Sequence, residues 1–420
     1  MLRVEDPVLP EFVGKFQYVT DYKEIDEVMR SPHFHQSGAP ERRVFFGRTL
    51  IFAEGERHAD LRERLRPLMS RQAMAYYELN LLEPVIDKVL ATLREQRGPD
   101  GLVRAELVEL VRIMLHQISA GVTGADGVDN WERTERFAAL VKIVGEAATV
   151  QWTKGSMDEV LAEGRKAMNA LINEFLQASL DRRLELASRH RAGEIGIEDL
   201  PRDMLMSLCL ADDIYKPGDD EGVPYIWQQC ALFLNASIHA TSQTLPHLIV
   251  HLDHWVRDHP EDISKLTDPI FLRLAAVETL RLHQSSPVKF RDATQDITLS
   301  TGRKIAAGET VALGTTMANL DEEVFGTDAR VFNPYRDAAK GKMPWGLTFG
   351  TGRHSCFGSN LVIGVAGKAD KKLGTDGTLV KIALKLNEFG CKLDAGSPPT
   401  RNETSFHDAY STVPILFSSL

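Results

Sequence analysis

The chain has 420 residues, of which 43% are hydrophobic and 26% charged, and its formal net charge is −10. That length suits one large domain with a sizeable core. The acidic balance argues against general nucleic-acid binding, which wants a basic face.

The opening stretch, MLRVEDPVLPEFVGKF, is acidic and broken by prolines. It lacks the basic start and apolar run of a signal peptide. Nowhere do 18 apolar residues run together, so no membrane anchor is expected and a soluble cytoplasmic protein is predicted. GKFQYVT reads as a first strand. Apolar residues spaced three and four apart then predict helices over Asp60–Gln72, Leu81–Gln96, Asp158–Arg189, Tyr225–His259 and Pro269–Gln284. Breaks rich in Gly, Pro and Asp fall at 191–201 and 212–224. After Pro287, VKFRDATQDITLSTGRKIAAGETVALG alternates polar and apolar with glycines at the turns, so it reads as short hairpins. STVPILF reads as a last strand. Without a repeat or a low-complexity linker, the expectation is a single domain over 1–420, mainly α with a small β portion.

The four cysteines are Cys209, Cys230, Cys356 and Cys391. They show neither CxxC pairing nor zinc-ligand spacing, which argues against a disulfide framework or a structural zinc. Cys356 stands apart because of its setting, FGTGRHSCFG. Gly350, Gly352 and Gly358 let the backbone turn sharply and approach a flat ligand. Such a loop can aim N–H groups at the sulfur, and SNLVIGVAGKADKK behind it reads as the start of a helix. Both features favour thiolate over thiol. A thiolate held this way is a nucleophile or a metal ligand; the plainer reading is a small buried side chain.

Two other constellations stand out. In AVETLRL, Glu278 and Arg281 are neighbours on one helical face. Ile270, Leu274 and Val277 share the stripe that includes Arg281, and Phe271, Ala275 and Leu282 flank Glu278, which predicts a buried pair rather than a solvated one. Arg336 in FNPYR is expected as a third member. In GERHADLRERLR, His58 and Arg62 lie on one face, arranged to receive paired carboxylates, unless the face is simply solvated.

Together these motifs resemble the cytochrome P450 superfamily in its bacterial, soluble form. FGTGRHSCFG resembles the haem-binding loop, ETLR the family's Glu-x-x-Arg, FNPYR its meander and GERHADLR its propionate-binding helix. The motifs stand in the family's order, and the resemblance runs from about residue 15 to the C-terminus. It implies the P450 fold, a triangular helical prism with haem b between a long distal helix and the proximal cysteine-loop helix. It also implies that the Cys356 thiolate is the axial iron ligand, that Phe349 packs on the sulfur side, and that His58, Arg62, Arg291 and His354 hold the propionates. Glu278, Arg281 and Arg336 become structural supports of the loop.

The resemblance further implies that the long helix carries a small pair, a variable residue, an acid and a threonine. ASIHAT and ATSQT compete for this register. The distances to Pro260 and Glu278 favour Ala240-Thr241-Ser242-Gln243-Thr244. Thr244 and Gln243 are then the catalytic candidates, with Gln243 where an acid is usual and Thr241 where glycine is usual. Glutamine can hold water but cannot relay a proton as an acid does. The plainer reading of Thr244 is a hydroxyl bonded to its own helix. Pro246 predicts a kink.

The implied activity is a monooxygenase inserting one atom of O2 into a mid-sized organic substrate of terpenoid, polyketide, steroid or aromatic type. Family substrate contacts map onto 35–52, Val150–Trp152, Asn235–His239, 285–289 and 406–410, with Phe45, Phe46, Trp152, Asn235, His239, Lys289 and Tyr410. No flavin or nicotinamide fingerprint occurs, so electrons are expected from NAD(P)H through a ferredoxin reductase and ferredoxin. Lys368, Lys371 and Lys372 with Arg64 and Arg66 are a candidate docking patch, and a monomer is expected. The alternatives are peroxide-driven oxidation, oxidative coupling or rearrangement on the same haem. From other classes come a cysteine-nucleophile hydrolase and a non-catalytic haem sensor.

Overall fold

A computed structural model describes residues 3–38, 40–150, 156–211, 224–365, 374–403 and 405–420. The chain divides into two compact units. The first comprises Met1–Ser37, Ile86–Val111 and Ala240–Leu420, and the second Gly38–Val85 and Arg112–His239.

The first unit holds the β structure. A four-stranded sheet runs Gln17–Val19, Thr310–Leu313, Lys289–Ala293, Phe34–Gln36 in spatial order. The first pair is parallel, with Tyr18 opposite Ala312, and the others are antiparallel, with Arg291 opposite Val311 and Gln36 opposite Arg291. Side chains alternate between faces along a strand. Phe290 therefore packs on Phe12 and Phe16, while Lys289 and Arg291 share the other face. A second sheet joins Val103–Glu106, Pro414–Phe417 and Cys391–Leu393. The first strand, the hairpins after Pro287 and the last strand fall where the alternation places them.

Helices begin where side chains can cap them. Asp268 accepts from Ile270 N–H at 2.9 Å and starts Pro269–Leu282, with Pro269 in the first turn. A capping oxygen satisfies an otherwise orphaned N–H, and proline costs nothing there. The second unit is helical. Asn130 caps Trp131–Ala148, and Asp203 caps Met204–Leu210. Asp203 also takes the buried Arg183 at 2.7 Å.

Three predicted helices differ in detail. Asp60–Gln72 is a helix over Gly55–Leu65, then a 3-10 turn at Arg66–Met69. Pro67 cannot donate into the helix, and Ser70 caps a fresh helix at Arg71–Tyr77. Leu81–Gln96 contracts to Glu83–Leu93 with a 3-10 turn behind it. Asp158–Arg189 is interrupted by a π turn at Ile172–Leu176. The predicted break at 191–201 is present, with a short 3-10 turn inside it. That at 212–224 lies almost wholly outside the described residues.

The long helix is Tyr225–Asp258, 34 residues, continuous through Pro246. Among the described residues no helix is long and apolar enough to cross a membrane.

Candidate functional site

Cys356 is exposed, whereas the three other cysteines are buried. Burial pushes the Cys209 thiol up to about 11 and raises Cys230 and Cys391 as well. Those three are small apolar fillers. The loop of Cys356 is closed by its N–H donating to the Phe349 carbonyl at 2.7 Å and by Ser355 N–H donating to Gly352 at 3.2 Å. Gly350 and Gly352 have φ of +65° and +70°. At Gly352 a Cβ would stand 2.6 Å from the Met29 carbonyl oxygen, so only glycine lets the loop lie there. Phe349 meets Trp345 edge-on at 5.6 Å, and His354 is half-buried.

A helix begins behind the loop as expected, but it is short. It spans only Ser359–Ile363, and among the described residues the next begins at Gly377. So short a helix carries little macrodipole, and the Cys356 N–H donates to the Phe349 carbonyl. The neighbouring strand brings two basic side chains to this loop, Lys289 and Arg291. Lys289 Nζ donates to the carbonyls of Leu347 and Thr348 at 3.2 and 3.3 Å. Burial, and next the Arg291 guanidinium, push its ammonium down to about 7, with Cys356 acting in the opposite direction. Arg291 itself is buried and donates to the Phe290 carbonyl at 2.9 Å.

The loop is tied to the Pro269–Leu282 helix through one residue that sequence reasoning missed. Arg281 is completely buried and forks onto Glu278 with two bonds of 2.8 Å. Arg336 adds a third charge, its Nε 2.9 Å from Glu278 Oε1. Arg281 also donates to the Asn319 carbonyl at 2.6 Å. The Asn319 amide donates to the carbonyls of Arg281 and Trp345 and to Thr348 Oγ1, while its Oδ1 accepts Leu347 N–H at 2.7 Å. Residues 345–348 lead directly into Phe349, so the charged triad fixes the loop through Asn319. The sequence carries one faint sign of it. Gly346 has φ +59°, and a Cβ there would stand 2.1 Å from Asn319 Oδ1.

The pair is buried and the residues expected to flank Glu278 are buried with it, but two members of the stripe expected around Arg281 are not. Ile270 is 73% and Leu274 43% exposed. Phe325 lies against the Arg281 guanidinium at 4.8 Å, and Phe271, Ala275 and Leu282 are buried on the same helix.

On the long helix Thr244 is buried and its hydroxyl donates to the Ala240 carbonyl at 3.0 Å. This is the local back-bond of the plainer reading, and the oxygen keeps its lone pairs. Gln243 is half-buried and Thr241 buried. His58 is buried and Arg62 half-buried, both on Gly55–Leu65 in the second unit. Of the substrate-segment residues, Phe45, Phe46 and Val150 are buried, His239 is exposed, and Trp152 lies outside the described residues. Arg64 and Arg66 form surface ion pairs with Asp60 and Glu63 at 2.9 and 2.6 Å. Lys368, Lys371 and Lys372 are likewise outside the described residues.

This donor set fits a thiolate-bound haem: one accessible sulfur on a glycine-turned loop, beside a strand that carries a buried guanidinium suited to a carboxylate. The site and fold thus define a mainly helical haem-thiolate protein. The family model described as Cytochrome P450 matches residues 14–363. The chain belongs to the cytochrome P450 family; it is an oxidoreductase of the monooxygenase class and its cofactor is haem b.

The chain is 26% identical to the vitamin D(3) 25-hydroxylase of Pseudonocardia autotrophica over 405 residues, 92% of this chain and 87% of that one. It is 22% identical to cytochrome P450 734A1 of Arabidopsis thaliana, covering 82% and 69%. Its fold is similar to that of epothilone D-bound P450epoK, with a TM-score of 0.68 at 19% identity, covering 98% and 93%. It is also similar to CYP109E1 of Bacillus megaterium in complex with testosterone, with a TM-score of 0.66 at 17% identity, covering 99% and 96%.

Proposed function

We propose that the protein inserts one oxygen atom from O2 into a C–H bond of a mid-sized, mostly apolar organic molecule, with electrons from a ferredoxin and its reductase. The observation that carries this reading is the single accessible thiol of Cys356, on a loop fixed through Asn319 to the buried Glu278–Arg281–Arg336 triad. Similarity to a vitamin D(3) hydroxylase, and to structures holding testosterone and epothilone D, supports a steroid-sized or macrocyclic substrate.

Haem b on a cysteine thiolate supplies oxygen activation, the sulfur pushing electron density toward the metal. Cys356 is the proposed ligand, with Phe349 beside it. Arg291 and His354, and on the second unit His58 and Arg62, are the proposed propionate partners. Thr244 Oγ1, with its proton directed to the Ala240 carbonyl, offers lone pairs to a water. Gln243 donates through its amide to hold such a water but releases no proton. Proton delivery is therefore slower here than with an acid at this position.

Two measurements test this reading. A library of steroids, terpenoids and macrolactones is screened for shifts in haem spin state, and hits are turned over with a surrogate ferredoxin and reductase. The expected result is a hydroxylated product with oxygen uptake, and turnover only with peroxide would contradict it. A Gln243→Glu variant should couple better, with less peroxide released per electron pair; a peroxide leak equal to that of the natural protein would remove Gln243 from the proton path.

A further inference from the structure

The resemblance groups Lys289 with the substrate contacts, but its ammonium reaches the approach to the cysteine loop. It donates to the carbonyls of Leu347 and Thr348 at 3.2 and 3.3 Å. Lys289 opens the strand Lys289–Ala293, two residues before Arg291. Alternate residues of a strand share a face and stand about 7 Å apart. Phe290, between them, packs on Phe12 and Phe16 on the opposite face. Lys289 pairs with Leu313 and Arg291 with Val311, and both partners are fully buried. Two cations therefore share one face of the sheet, beside the main chain that leads into Phe349 and Cys356.

Among the described residues no carboxylate of the chain pairs with Lys289. Its two hydrogen bonds both end on neutral carbonyls. Burial is the first cause holding its ammonium down, and the Arg291 guanidinium the second. The Cys356 sulfur opposes both, but a thiolate that binds iron shares its charge with the metal. Carbonyl dipoles solvate an ammonium without neutralising it, and a charge withdrawn from water is costly unless it is paired. An ammonium has three N–H donors. Two are spent on the loop and one is left for a further acceptor. A carboxylate meets both needs, since it only accepts and carries the opposite charge.

Resting on the reading that Cys356 holds haem, we propose that Lys289 is a further seat for a haem carboxylate, beside Arg291, and that it ties this carboxylate to the main chain of the cysteine loop. It joins the four propionate partners that the resemblance implies and differs from them in its second grip. Leu347 is held on both sides: Asn319 Oδ1 accepts its N–H at 2.7 Å, and Lys289 donates to its carbonyl. Lys289 thus binds the cofactor's edge and the segment that positions the iron ligand with one group. Loading haem completes the charge balance of that segment. A substrate carboxylate is the other source of the same chemistry, but the ammonium's place at the loop that carries the iron ligand favours the cofactor.

The test compares haem b with its dimethyl ester, whose carboxylates are blocked. Haem-loaded protein is mixed with excess apomyoglobin, and transfer of the haem is followed by absorbance. Lys289→Met keeps the stem and removes the charge. It should release haem b about tenfold faster than the natural protein. Lys289→Gln, which keeps N–H donors for the loop carbonyls, should behave in the same way and serves if the methionine variant does not fold. Lys289→Arg keeps a cation and should stay within about threefold of the natural rate. Loaded with the dimethyl ester, the natural protein and the uncharged variants should release at one rate. Uncharged variants that hold haem b as firmly as the natural protein overturn the proposal. Variants that lose haem b and the ester faster by the same factor also overturn it, because the lysine then acts through the loop carbonyls alone. Unchanged haem b release, with loss of a palmitate-induced spin-state shift seen in the natural protein, gives the seat to a substrate carboxylate and overturns it too. A natural protein without the thiolate-type CO spectrum removes the haem-site reading itself. With that spectrum present, the release rates bear on Lys289 alone.

Discussion

At the scale of single residues, Asn319 decides whether the cysteine loop is held. It is fully buried, and all of its amide's hydrogen-bonding capacity is spent on residues 281 and 345–348. Asn319→Ala leaves a buried N–H and two carbonyls without these partners, each costing about 1–3 kcal/mol when orphaned. The expected outcome is a loss of roughly 3 kcal/mol in chemical denaturation together with weaker haem retention. Gly346→Ala should reproduce the haem loss, because its Cβ meets the same amide. If either variant binds haem as the natural protein does, Asn319 is not the link. Asn319 was illegible in the sequence because an asparagine before a turn looks like every other one. Its partners lie 26 to 38 residues away in the chain. Cys356, by contrast, was legible from its glycines, whose spacing only a sharp turn requires.

At the scale of elements, the Glu278–Arg281 pair shows what periodicity can and cannot tell. The three-residue spacing placed both charges on one helical face, and they are paired there. Periodicity also marked Ile270 and Leu274 as inward, and both face outward. A helix covered on more than one side carries no single stripe, so apolar spacing does not identify which face is deepest. Arg281→Lys replaces a planar fork with a point charge and cannot serve Glu278 and the Asn319 carbonyl together. Breaking so buried a pair costs about 3–5 kcal/mol, and most of that loss is expected for the lysine variant in a denaturant titration. A loss as small as that of an exposed pair would show the triad to be ornamental. SNLVIGVAGKADKK does begin a helix after Cys356, and Gly364, with φ +72°, ends it after Ile363.

For the whole molecule, burial of histidines sets the response to acid. His116 is pushed down to about 4, and His247 and His251 well below their usual value, with burial the largest cause in each. In the unfolded chain these imidazoles bind protons near pH 6.5, so below about that pH the unfolded state holds more protons and stability falls. The unfolding free energy should therefore decline from about pH 7 to about pH 5, and His116→Gln should shallow the decline. A flat profile would mean the rings are solvated. The claim that unites the loop, the triad and the family is that Cys356 thiolate holds the haem iron. The CO difference spectrum of the reduced protein tests it directly. A Soret band shifted to the red, lost in Cys356→Ser, is the predicted result; an unshifted band in the natural protein, or a red-shifted one surviving in Cys356→Ser, would contradict it.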